Sequence, residues 1–116
     1  MLHCISGQPD VISRLLPGES IIFHSYADPL ESVPPGVILI IHEPRETWLF
    51  SRSMPPSGYP RILLAENPRA IDIKHAVNDF GVTRISDLEG LPGALREVFR
   101  QVALLRAQAR MEGTSL

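Results

Sequence analysis

Eleven of the 116 residues are proline, about twice the usual frequency of ~5%. They stand at positions 9, 17, 29, 34, 35, 44, 55, 56, 60, 68 and 92, and almost every apolar run lies between two of them. Proline donates no backbone hydrogen bond and interrupts helix and central strand alike, so these residues divide the chain into short elements. Leu2–Ser6 reads as a strand. Pro9–Leu16 reads as a short helix, with proline at its first position and Ile12, Leu15 and Leu16 on one face. Ser20–His24 is a second strand. Val37–His42 is an unbroken β-branched run, the pattern of a strand covered on both faces. Arg61–Ala65 is a fourth strand of the same kind. In Pro68–Phe80, Ile73, Ala76, Val77 and Phe80 recur at helical spacing to form a core face, and Gly81 is a fitting stop. Val82–Ser86 is a fifth strand, and Gly93–Met111 is the longest helix.

Strands alternating with helices predict an α/β domain: a five-stranded parallel sheet between two helical layers. Two connections lack a regular pattern. In residues 25–36, Asp28–Val33 suits a single turn. In residues 43–60, a short helix near Glu46–Ser53 is followed by a proline-rich loop. Trp48, Leu49 and Phe50 fall in that stretch, where they cap a sheet face or offer an aromatic anchor to a partner.

Composition narrows the function. The chain carries a single cysteine, which cannot form an internal bridge, and a reducing compartment follows. No apolar run approaches the ~20 residues of a spanning helix, and the first residues lack the pattern of a secretion signal, so a cytoplasmic location is expected. Residues 1–93 hold 7 basic and 11 acidic side chains, whereas residues 94–116 hold four arginines and two glutamates. That acidic body argues against nucleic acid as a partner.

The stretch Tyr59-Pro60-Arg61-Ile62-Leu63-Leu64-Ala65, the helix ending Asn78-Asp79-Phe80-Gly81-Val82, the short strand and the final helix resemble the second half of a response-regulator receiver domain. Element order and length extend the resemblance over roughly residues 1–108. The resemblance implies receiver (flavodoxin-like) topology and a place in bacterial signal transduction, in two-component systems. The family's chemistry uses an acidic pair after the first strand to hold Mg²⁺, an aspartate ending the third strand as phosphoacceptor, a hydroxyl ending the fourth and a lysine ending the fifth. Here the first turn is Ser6-Gly7-Gln8, the third strand ends in His42-Glu43, the fourth in Ala65-Glu66, and the fifth in Ser86-Asp87. Lys74, the one lysine, lies mid-helix. The chain thus resembles a degenerate pseudo-receiver, with no phosphoacceptor, catalytic residue, metal or cofactor assigned.

Other chemistry is thinly supported. His42, Glu43, Glu66 and Asp87 converge on the carboxyl edge of the predicted sheet, the alternative ligand-binding edge for a small-molecule or nucleotide sensor. Cys4 reads as a small buried apolar residue, and Gly7 stands far short of a glycine-rich phosphate cradle. The final helix is more informative. Leu91, Leu95, Val98, Val102, Leu105 and Ala109 recur at alternating spacings of four and three residues, the seam of a coiled coil, with Phe99 and Ala103 widening it at its start. About 12–14 residues at 1.5 Å each suffice to cover a sheet of this size, so the last turns are expected to overhang. By resemblance, Ile71, His75, Arg84 and Ile85 join Val102, Leu105 and Ala109 as the interaction surface. The expected protein is a non-catalytic interaction module, homodimeric or joined to an output domain. Residues 1–92 form its sheet core and 93–116 its final helix and tail.

Overall fold

The structure is a computed structural model describing residues 2–43, 54 and 58–114. Five parallel strands, β1 (Leu2–Ile5), β2 (Ile21–His24), β3 (Ile38–His42), β4 (Arg61–Leu64) and β5 (Arg84–Ser86), form one sheet in the order β2-β1-β3-β4-β5. Among the described residues three α-helices accompany them, α1 (Pro9–Leu15), α2 (Ala70–Phe80) and α3 (Leu91–Thr114), with a 3-10 turn at Leu30–Ser32. This is the predicted three-layer α/β architecture with flavodoxin-like strand order. The segment 46–53, with Trp48, Leu49 and Phe50, lies outside the described residues.

Strand alternation assigns the two faces. Leu2 and Cys4, Ile38 and Ile40, and Ile62 and Leu64 turn toward α1 and α3, meeting Ile12, Leu16, Leu91, Leu95, Val98 and Val102. Ile5, Leu39, Ile41 and Leu63 turn the other way, toward Ala76, Phe80 and Val82 of α2 and its C-terminus. Every residue of β1, β3 and β4 is buried, which is why these strands read as continuous rather than alternating apolar runs.

Element ends differ from the sequence reading by a few residues, for local reasons. Helix α2 starts at Ala70 rather than Pro68, because the Asp72 carboxylate accepts the Arg69 N–H at 3.3 Å and the Arg69 guanidinium at 2.9 Å. That guanidinium also holds the Asp72 carboxyl below its usual pKa. Strand β5 starts at Arg84 rather than Val82, because the Val82 N–H closes α2 on Ala76 O at 3.0 Å while Gly81 sits in the left-handed region at φ 65°, a Schellman-type ending. Helix α3 starts at Leu91, since Pro92 in the first turn has no N–H to leave unpaired.

Three expected core positions are corrected. Val77 is 47% exposed: α2 rolls so that Ala76 and Phe80 face the sheet, and Val77 lies on the flank. Phe99 and Ala103 are likewise exposed, because α3 covers the sheet with a narrow stripe, Leu91, Leu95, Val98 and Val102.

Cys4 is fully buried, and burial pushes its thiol pKa up to about 12. His3 points to the opposite face from Cys4, so no thiol–imidazole pair forms. A thiol reagent is therefore expected to label the native protein negligibly over hours and stoichiometrically in denaturant. Rapid native labelling would contradict this packing of β1.

Candidate functional site

Two regions carry the residues singled out in the sequence: the carboxyl edge of the sheet and the exposed faces of α2, β5 and α3.

At the carboxyl edge, β1 and β3 are neighbours whose connections leave in opposite directions, the switch point where ligands bind in open α/β sheets. His42, ending β3, is 2% exposed, and its Nδ1 is 2.8 Å from the hydroxyl of Ser6, which follows β1. The Ser6 Oγ also accepts the Gln8 N–H at 2.9 Å. Burial lowers the His42 pKa, opposed by the Glu43 and Glu66 carboxylates. Glu43 adopts φ 43°, a strained conformation for a residue other than glycine. Three contacts hold it there. Its N–H donates to Leu64 O at 2.8 Å, its carbonyl accepts the Tyr26 hydroxyl at 3.0 Å, and its Oε1 accepts the Glu66 N–H at 2.8 Å. The Tyr26 hydroxyl also donates to His42 O. The Tyr26 ring lies over Gly7, where a Cβ would approach Cε2 to 3.0 Å, so glycine is needed for that close approach rather than for a phosphate.

The carboxylates continue outward in the same way. Glu66 Oε1 accepts the Leu88 N–H at 2.9 Å, and Asp87 Oδ1 accepts the Gly90 N–H at 2.7 Å. Glu43 thus ties the end of β3 to the loop after β4, Glu66 ties that loop to the one after β5, and Asp87 closes a turn within its own loop. Among the described residues, no group of three or more His, Cys, Asp or Glu side chains is placed to share a metal ion. The arrangement can brace loops and hold a neutral imidazole, but the acidic groups face backbone N–H donors rather than one another.

The proposed interaction residues divide. Ile71 is 53% exposed, Ile85 43% and Leu105 43%, and Ala109 is exposed. His75 is mostly covered, paired with Asp79 and edge-on to Phe80 with ring centroids 5.7 Å apart. Arg84 reaches across to Glu97 of α3 at 2.7 Å, so it links β5 to that helix. Val102 is a correction: at 6% exposed it packs against the sheet and leaves the surface to its neighbours. Leu104 at 59% and Met111 at 69% are exposed on the same helix. Among the described residues no helix is long and apolar enough to cross a membrane.

Sequence reasoning missed the Ser6–His42 pair, the Tyr26 clamp and a second imidazole contact. His3 Nδ1 lies 2.7 Å from His24 Nε2, with the rings stacked at 5.0 Å, and His3 Nε2 is buried without a partner among the described residues. The only hint in the sequence was that three of four histidines fall in or beside strands. Comparison with known proteins found no family, no curated protein and no solved structure that matches this chain.

Proposed function

We propose that the chain is a cytoplasmic, non-catalytic, receiver-like regulatory module of bacterial signal transduction, acting independently of phosphorylation through protein–protein contact and self-associating through the far half of α3. One observation carries this reading. The apolar seam of α3 is buried against its own sheet at Leu91, Leu95, Val98 and Val102, yet continues, exposed, at Leu105 and Ala109, with Leu104 alongside. Helix α3 has 24 residues, about 36 Å at 1.5 Å each, so the seam runs on after the sheet beneath it ends. Burying an exposed leucine is worth about 1.5–3 kcal/mol, which favours a partner there. The strand order supports the receiver-like scaffold, and the four strand-end positions of the family's chemistry hold Ser6, His42, Glu66 and Asp87, each with a hydrogen-bond partner in the chain. Those existing partners also weigh against the second reading, a ligand sensor at the carboxyl edge.

Sedimentation of the full chain across the micromolar range is expected to show a monomer–dimer equilibrium. The double variant Leu104→Asp/Leu105→Asp should weaken it at least 100-fold, about 2.7 kcal/mol, while the melt stays cooperative and loses its dependence on protein concentration. A monomer at high micromolar concentration would overturn self-association.

A further inference from the structure

We propose that two copies of this chain associate antiparallel, the overhanging half of α3 of each entering the cavity beneath the overhang of the other. This rests on the self-association proposed above and adds its geometry: the second copy is seated on the body of the domain as well as on the helix.

Area argues against the simpler arrangement. Residues 103–114 of α3 project about 18 Å at 1.5 Å each. At a helix diameter of about 10–12 Å, one flank of that length offers roughly 200–300 Å² to a neighbour. Two overhangs touching only each other therefore fall well short of the ~1,200 Å² of a stable interface.

The hollow beneath the overhang supplies further surface. It encloses about 450 Å³, with Leu104 and Leu105 on the helix side and Gly58, Tyr59 and Thr83 on the side of the body. Tyr59 also lines a second hollow of about 270 Å³, with Phe99, Ala103 and Arg106. The overhang thus stands over Tyr59 and is undercut on both flanks. The larger hollow suits the partner helix better, because its helix wall carries two leucines where the smaller one carries an arginine. Gly58, at φ 76°, leaves the entrance clear, with no atom within 4 Å of the point where a side chain would begin.

The flank of α3 that lines this hollow also matches itself. Gln101, Leu104, Leu105 and Gln108 recur at i, i+3, i+4 and i+7, so they form one strip. Leucines occupy its middle and carboxamides its ends, and a carboxamide both donates and accepts hydrogen bonds. A strip of that kind can face a copy of itself across a two-fold axis, which is what an isologous interface requires.

Charge selects the direction. Residues 1–93 hold 7 basic and 11 acidic side chains, whereas residues 94–116 hold four arginines and two glutamates. Parallel pairing would gather Arg106 and Arg110 of both tips together, away from both bodies. Antiparallel pairing carries each arginine-bearing tip to the acidic body of the other copy, which is the complementary arrangement.

The test places a spin label on Thr114→Cys. The native Cys4 is fully buried and its thiol pKa is pushed up to about 12, so the introduced thiol takes the label. Labelled chain is mixed in threefold excess with ¹⁵N-enriched parent chain, whose amide spectrum then reports only contacts between copies. The Gly58, Gly81 and Thr83 amides should lose at least half of their intensity and recover it on dilution. Broadening that misses these three and falls on the tip of α3, with the copies still associated, would mean parallel pairing and overturn the docking. In sedimentation, Gln101→Trp, at an exposed helical position, fills the hollow and should raise the dimer dissociation constant at least tenfold while the melt stays cooperative. An unchanged constant would overturn the cavity as the seat and leave self-association standing. A parent chain that is monomeric at high micromolar concentration overturns self-association itself, and this arrangement with it.

Discussion

Replacing Phe80 with alanine is expected to destabilise the fold by about 3–5 kcal/mol, read as a lower denaturant midpoint at unchanged slope. Among the described residues, Phe80 is the largest fully buried side chain. It fills the layer between α2 and the sheet with Ile5, Leu39, Ile41 and Leu63, and its ring meets His75 edge-on. The backbone at this point is equally constrained. Phe80 O accepts the buried Arg61 guanidinium, and the next residue, Gly81, makes the left-handed turn that ends α2. A cavity here cannot close by letting the helix end settle inward, because Arg61, Val82 and Thr83 all hold it. The control lies one helical turn away. Val77, in the apolar set that the sequence alone assigns to the core, is 47% exposed, and Val77→Ala is expected to change stability by no more than about 0.5 kcal/mol. Equal losses at the two sites would mean that α2 is rolled differently on the sheet.

That contrast shows what kind of information the sequence holds. Proline positions and unbroken β-branched runs report on backbone hydrogen bonding and on double-sided burial, both properties of a single segment. They therefore located β1 to β5 and the three helices within a few residues. The roll of α2 depends on what its neighbours leave uncovered, and spacing cannot report that: Val77 and Ala76 are adjacent in the chain and share the predicted apolar face, but only Ala76 is buried. The same holds for Val102 and Leu105. They occupy equivalent seam positions, and the end of the sheet decides which one is exposed. At the carboxyl edge, the sequence correctly collected His42, Glu43, Glu66 and Asp87 as strand-end residues. It could not show that Glu43 and Glu66 turn to backbone N–H groups of neighbouring loops, nor that Ser6 and Tyr26 close around His42, because those contacts join residues 16 to 36 positions apart. The burial of Arg61 was illegible for a further reason. The sequence puts Arg61 at the head of the fourth strand, but its contact with Phe80 O follows only from the return of the α2 terminus over it.

Acid should unfold this protein through two histidines. His3 and His42 are 3% and 2% exposed, and burial holds both pKa values below the ordinary 6.5, with the nearby His24 adding to the effect at His3. A base whose folded pKa is depressed binds fewer protons in the folded state than in the unfolded one. Stability is therefore full above pH 6.5 and falls as the pH drops through 6.5 toward the folded values, with a limiting slope of about 1.4 kcal/mol per pH unit for each histidine. The environments give the loss a structural form. Protonating His42 converts the Nδ1 acceptor facing Ser6 into a donor if Ser6 donates to it, or adds a charge in a buried site if it does not. Protonating His3 adds a charge to a buried ring that is stacked on His24 with centroids 5.0 Å apart. Chemical denaturation between pH 7.5 and 5 should show this decline in the parent chain. His42→Asn and His3→Asn should each remove about half of the slope, whatever they do to stability at pH 7.5. Acid sensitivity that begins only below pH 5 and persists in the double variant would assign it to the carboxylates that brace the strand ends, and would mean that both imidazoles reach solvent far more readily than their packing implies.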